Sequence, residues 1–197
     1  MLVIRPIQVS DMPQLLQMAE ESGIGFTSLP VNAALLQRKI DHSIASFSQT
    51  VKQPGDQGYL MVAQDLSSGD IIGTTAIEAA VGIKAPFYNY HVGKVVHSSP
   101  TLGVYNLVET LTLSNDYTGV SELCTLFLRE PFRNGTHARL LSRCRFMLMA
   151  EHPHRFAKTV IAEMRGVSDE AGRSPFWAWL EQHFFSVDFP TVDHLTG

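Results

Sequence analysis

Charge is scarce in this sequence, cysteine nearly absent, and no apolar run is long enough to cross a membrane. Charged residues make up 17 % of 197, and 15 Lys and Arg against 19 Asp and Glu give a formal net charge of −4 with the eight histidines counted neutral. Nothing in that balance attracts a polyanion, so nucleic acid is excluded as a general partner and any basic site has to be local. The two cysteines, Cys124 and Cys144, are too few for a disulfide framework and lack zinc-ligand spacing. A reducing compartment, the cytoplasm, is expected. Met1-Leu2-Val3-Ile4 runs straight into Arg5-Pro6, too short for the apolar region of a signal peptide. Longer apolar stretches are broken by charge, as by Glu78 within residues 74–83, so no membrane contact is expected. His97, His152, His154 and His183 form no metal-ligand pattern, and no metal site is expected.

What is present is apolar substance: 45 % of the residues are hydrophobic, enough for a sizeable core in one domain spanning 1–197. A short strand over 2–6 opens the chain. Ser10-Asp11 reads as the cap of a helix in which Met12, Leu15, Leu16, Met18 and Ala19 recur at helical spacing up to Gly23. A second helix over 32–47 aligns Leu35, Leu36, Ile40 and Ile44. Apolar runs at 59–64 and 71–76, separated by a loop with Ser67-Ser68-Gly69, read as a hairpin. Further extended segments are expected at 88–97, 111–113, 122–128 and 159–164. A helix over 137–152 carries Leu140, Leu141, Cys144, Met147 and Leu148 on one face, and Ser174-Pro175 starts another that runs to 185. Helices, mostly adjacent strands, then strand–helix–strand–helix make an α/β (α+β) plan, a mixed and mostly antiparallel sheet flanked by helices.

The stretch most able to carry chemistry is 121–145. A strand, Glu122-Leu123-Cys124-Thr125-Leu126-Phe127-Leu128, passes through Arg129-Glu130-Pro131-Phe132 into Arg133-Asn134-Gly135-Thr136-His137-Ala138, where a helix begins. Free N–H groups and the helix dipole make such a junction a phosphate cradle, although an ordinary strand–helix connection has the same spacing. Arg139 and Arg143, four apart, either meet a phosphate or lie on a solvated face. Glu78, Asp116, Glu122 and Glu163 sit in or beside apolar strands, where an unpaired charge is costly. Each suits a guanidinium or a structural ion pair. Tyr88 and Tyr90 line a pocket or belong to the core, and Cys124 reads as a small buried hydrophobe rather than a nucleophile.

The helix junction resembles the acyl-CoA motif of the large N-acyltransferase superfamily, Arg/Gln-x-x-Gly-x-Gly/Ala. Arg133, Thr136 and Ala138 fall on its positions, with Thr136 in place of the first glycine and Gly135 displaced by one. More specific are Gly25-Phe26-Thr27-Ser28-Leu29-Pro30, Pro86-Phe87-Tyr88-Asn89-Tyr90-His91-Val92-Gly93, Leu113-Ser114-Asn115-Asp116, Ser121-Glu122-Leu123-Cys124-Thr125-Leu126-Phe127-Leu128 and Ala162-Glu163-Met164-Arg165-Gly166-Val167-Ser168-Asp169-Glu170. In that order they resemble the arginine N-succinyltransferase family. The resemblance implies an acyl-CoA N-acyltransferase-like fold and transfer of succinyl from succinyl-CoA to the α-amine of L-arginine, in arginine catabolism. Succinyl-CoA enters as co-substrate, no cofactor is held permanently, and a homo- or hetero-oligomer is open.

The implied succinyl-CoA positions are Leu126, Phe127, Leu128, Arg133, Gly135, Thr136, His137 and Ala138. Those for arginine are Glu78, Tyr88, Asn115 and Glu122. The family's proton-donor histidine falls beyond Gly197, so no catalytic residue is assigned, and the chain resembles the N-terminal portion of a longer protein. Little turnover by this chain alone and an exposed apolar edge near 184–189 follow as expectations. The alternative reading is a non-catalytic chain of the same family that binds CoA or a partner.

Overall fold

The computed structural model describes residues 1–191 apart from 24, 25, 27, 165, 170–172, 185, 189 and 190. Five strands form one sheet in the order β1-β2-β3-β6-β7, with β1 at Leu2–Pro6, β2 at Gly58–Asp65, β3 at Ile71–Glu78, β6 at Ser121–Leu128 and β7 at Val160–Ile161. Neighbours are antiparallel except β6 and β7, which run parallel. β4 at Asn89–Ser99 and β5 at Val104–Ser114 make a separate two-stranded ribbon. The helices are α1 at Met12–Ser22, α2 at Ala33–Ser48, α3 at Gly135–Glu151 and α4 at Pro175–His183.

Because β2 and β3 are buried on both faces, they read as continuous apolar runs rather than alternating ones. On one face Leu60, Val62 and Ala76 pack with Leu15 and Met18 of α1 and Leu36 and Ile40 of α2. Ala63 and Ile72, on the other face, meet Leu141 of α3. Beside them Tyr59 and Ile77 meet Phe156, with Tyr59 edge-on to both Phe47 and Phe156. Each Leu or Ile buried this completely contributes about 1.5–3 kcal/mol. Two buried serines fix α2 to the sheet. Ser43 Oγ accepts from Leu60 N at 2.8 Å, and Ser46 Oγ accepts from Gly58 N at 3.1 Å.

The mixed sheet flanked by helices is therefore as expected, and several details differ, among them β5, which runs over Val104–Ser114 where only 111–113 was expected to be extended. Asp11 holds the N-cap position of α1 but makes no side-chain cap bond; its carboxylate accepts from Gln8 N and binds both terminal nitrogens of Arg5, at 2.7 and 2.8 Å. The α3 face is rotated from the expected one. Leu141 and Arg145 are buried while Met147 is 70 % exposed, because α3 covers a sheet face whose centre is Ile72 and Ala63. The strand expected over 159–164 is only Val160–Ile161, since β7 pairs with β6 at two positions. Tyr88 and Tyr90 are both exposed, because the ribbon that Tyr90 belongs to stands off the sheet. Ser174 does cap α4, accepting from Trp177 N, with Pro175 in the first turn. The helix ends at His183, and Phe185 and Phe189, part of the expected apolar edge, lie outside the described residues.

Candidate functional site

Strand β6 organises the site through a bulge. Its register shifts from Ala76↔Cys124 to Thr74↔Phe127, so Thr125 and Leu126 together oppose Thr75. Thr125 sits at φ 51°, a left-handed conformation that is unusual for a β-branched residue, and its carbonyl accepts from Thr74 Oγ1 at 3.0 Å. The bulge leaves Leu126 43 % exposed and aimed at the junction with α3. On its outer side β6 pairs with β7 only through Ser121 and Glu122, so from Leu123 onward its edge lies open among the described residues.

Against that edge lies a cleft of about 410 Å³ lined by Leu126, Phe127, Leu128, Arg133, Asn134, Gly135, Ala138 and Leu141. Six of the eight positions implied for succinyl-CoA therefore meet in one groove; Thr136 and His137 stand on the adjoining turn. Arg133 donates from Nε to Leu128 O at 2.9 Å and lies over the Phe127 ring, its Cζ 5.7 Å from the centroid. Nothing stands within 4 Å of a side-chain carbon built at Gly135, so the backbone there is open to a ligand.

The first-turn N–H groups are less free than the sequence suggested. Asn134, the N-cap of α3, accepts from Thr136 N at 3.2 Å and His137 N at 2.9 Å. His137 turns its Nδ1 back to Asn134 Nδ2 and Phe132 O instead of into the groove. Among the described residues Gly135 N has no hydrogen-bond partner. Arg139 and Arg143 are exposed and line no part of the cleft.

A second cleft of about 350 Å³ continues round the end of β6 past Phe127, Arg129, Phe132 and Arg133. Arg129, which the sequence reading passed over, lies 3.1 Å from Glu21, with its Nε and one terminal nitrogen buried and without a hydrogen bond.

Of the positions implied for arginine, Glu78 and Glu122 are brought together as cross-strand partners of β3 and β6. Burial chiefly, then Glu163 and Glu78, pushes the Glu122 carboxyl up to about 7. Burial also raises Glu78, opposed by Lys39 and His42 of α2. A side-chain carbon built at Gly58 would stand 3.0 Å from Glu78 Oε2 and 3.2 Å from His42 Nδ1, so the bare backbone makes room for these groups. Tyr88 and Asn115 lie elsewhere, at the root of the ribbon, where Asn115 Nδ2 donates to Phe87 O at 2.6 Å and Tyr88 is 60 % exposed. Burial beside the two glutamates pushes the Cys124 thiol up to about 12, which leaves no thiolate at neutral pH. No cluster of His, Cys, Asp or Glu among the described residues could hold a metal ion, and none of their helices is long and apolar enough to cross a membrane.

A strand with a mid-length bulge, an open edge and a groove at the next helix N-terminus defines the same fold as a solved succinyltransferase structure. That structure is the arginine/ornithine succinyltransferase subunit AI of Pseudomonas aeruginosa, with a TM-score of 0.93 and 40 % identity over all of this chain and 60 % of that one. The arginine N-succinyltransferase beta subunit family matches residues 2–197, and the chain belongs to it. Arginine N-succinyltransferases of Shigella sonnei and Salmonella schwarzengrund are each 49 % identical over 197 residues, all of this chain and 57 % of theirs. The chain thus spans a little over half the length of the curated relatives it matches.

Proposed function

We propose that this chain supplies the succinyl-CoA groove and the acceptor carboxylates of an arginine N-succinyltransferase acting in cytoplasmic arginine catabolism. The observation that carries the reading is the groove at the β6–α3 junction, where Leu126, Leu128, Arg133 and Gly135 converge on an open strand edge. The pantetheine of succinyl-CoA runs along that edge, completing the ladder as an added strand would. Its phosphates lie at the Gly135 N–H and the Arg133 guanidinium.

Transfer is direct. The neutral α-amine of L-arginine attacks the thioester carbon, an amide C–N bond forms, the C–S bond breaks, and the CoA thiolate leaves and is protonated. The amine has first to lose a proton. Glu122, four residues before Leu126 on the same strand and with a pKa of about 7, is suited to accept it at neutral pH. Glu78 beside it holds a cationic group of the substrate, while Tyr88 and Asn115 border the approach from the ribbon root. A covalent thioester on Cys124 is disfavoured by its burial and raised pKa.

The test is calorimetric titration of the 197-residue chain with succinyl-CoA and acetyl-CoA, with and without L-arginine. It is followed by a coupled assay of thiol release and loss of the arginine α-amine. Saturable binding of succinyl-CoA in preference to acetyl-CoA is expected. No binding of either thioester would overturn the groove assignment.

A further inference from the structure

The β4–β5 ribbon has an apolar face that, apart from Phe176 against Tyr90 at its root, nothing among the described residues covers. Its register pairs Tyr90 with Leu113, Val92 with Leu111, Lys94 with Glu109, Val96 with Leu107 and Ser98 with Tyr105, and cross-strand partners share a face. That face therefore carries seven large apolar side chains, each between 46 and 72 % exposed. The opposite face is mostly polar, with Asn89, His91, His97, Asn106, Thr110 and Thr112 alternating along it. Such amphipathic alternation is the pattern of a strand pair packed on one side.

In the middle of the apolar face stands a single charged rung, with Lys94 Nζ 3.8 Å from Glu109 Oε1. Apolar rungs flank it on both sides. At the root, Tyr90 packs edge-on against Phe176 of α4, ring centroids 5.5 Å apart, and Phe176 and Trp179 continue the exposed apolar surface.

We propose that this face docks a second copy of the chain, two ribbons packing face to face about a twofold axis that runs between them along their length. That symmetry lays β4 of one copy over β5 of the other. Every rung then meets itself: Val92 over the partner's Leu111, Val96 over the partner's Leu107, and Lys94 over the partner's Glu109. An unrelated apolar partner would bury the Lys94–Glu109 pair without answering its charges, which is costly. A second copy answers both, which is the self-complementarity an isologous contact demands.

The size fits as well. Eleven residues per strand at about 3.4 Å each make a ribbon roughly 37 Å long. Extended at its root by Phe176 of α4, it offers the long continuous face that an isologous contact uses. The inference is independent of the reaction proposed above.

Sedimentation velocity of the 197-residue chain over a wide concentration range is the test, with circular dichroism to verify folding. The chain is expected to dimerise. Leu111→Glu, at an exposed position, is expected to leave the fold intact and raise the dissociation constant about a hundredfold or more. Lys94→Glu and Glu109→Lys, each alone, place like charges across the contact and are expected to give monomers. An equimolar mixture of the two is expected to form heterodimers, because one chain then carries two acids and the other two bases. A wild-type chain monomeric at every concentration, a dimer indifferent to Leu111→Glu, or a mixture that stays monomeric would each overturn the proposal.

Discussion

Glu122 stands directly opposite Glu78 across the β3–β6 ladder, two partly desolvated carboxylates on one face of the sheet with Lys39 as the cation favouring ionisation of both. In the fold Glu122 holds its proton up to about pH 7, against an ordinary value of 4.5. Between those values the native state binds more protons than the unfolded chain, so stability falls as pH rises through that window. Glu122→Gln removes the effect. The variant is expected to melt at the wild-type temperature near pH 4.5 and above it once the pH passes about 7. Thermal melts across that range decide it; a gain confined to the acid side would contradict the raised carboxyl.

Arg133→Ala is expected to weaken CoA binding about tenfold or more. A charge-assisted contact of this kind contributes roughly 1.5–3 kcal/mol, and the side chain already lies across the groove against Phe127 and Leu128 O. Calorimetry with CoA reads the change. Unaltered affinity would reduce Arg133 to a brace for the end of β6.

Asn134→Ala separates capping from binding. Loss of the cap on Thr136 N and His137 N is expected to cost about 1 kcal/mol of stability. The same change frees two N–H groups for a phosphate, so CoA affinity is expected to hold or rise. Denaturant melts and calorimetry on one variant measure both, and a marked loss of affinity would show that the Asn134 side chain itself touches the ligand.

Gly73→Ala is expected to destabilise the fold by about 1–3 kcal/mol through overpacking. The added carbon would stand 2.6 Å from Phe127 O and 2.9 Å from Leu141 Cδ1, wedged between β6 and α3. Urea unfolding gives the number, and a neutral outcome would mean that β6 can yield at its bulge.

The parts legible in the sequence were those whose local pattern and tertiary surroundings agree. The β2–β3 hairpin announces itself through long apolar runs, and β6 followed by α3 through an abrupt change of period. The ribbon was only half visible: β4 was legible across Lys94, but β5 was not beyond 111–113, because Glu109 interrupts its apolar face and Val104 and Val108 put apolar side chains on the polar one. Arg145 was missed because a guanidinium looks wrong for a core. Its Nε and one terminal nitrogen instead bond Ser142 one turn back, at 3.2 Å each, while burial lowers its pKa. Most of the residues that line the groove lie near one another in the chain, on the end of β6 and the turn into α3, where the resemblance pointed; Leu141, read as core, was not among them. The Glu78–Glu122 pairing needed the register, which spacing alone does not give, and Tyr88 and Asn115 joined a different neighbourhood because the ribbon carries them away.

The extra residue in β6 also changes which side of the sheet each later side chain serves. Before it, Glu122 and Cys124 look toward α1 and α2; after it, the odd-numbered Phe127 does, while Leu128 joins Leu141 beneath α3. Strict alternation would have made the opposite assignment. Excising either Thr125 or Leu126 would restore that alternation and transpose everything downstream, driving Leu128 into the space of Phe127 and swinging the Arg133 turn off the groove. The strand's parity, set at a bulge with one residue in a left-handed conformation, therefore places Glu122 and Phe127 on the side of α1 and α2 and Leu128 on the side of α3.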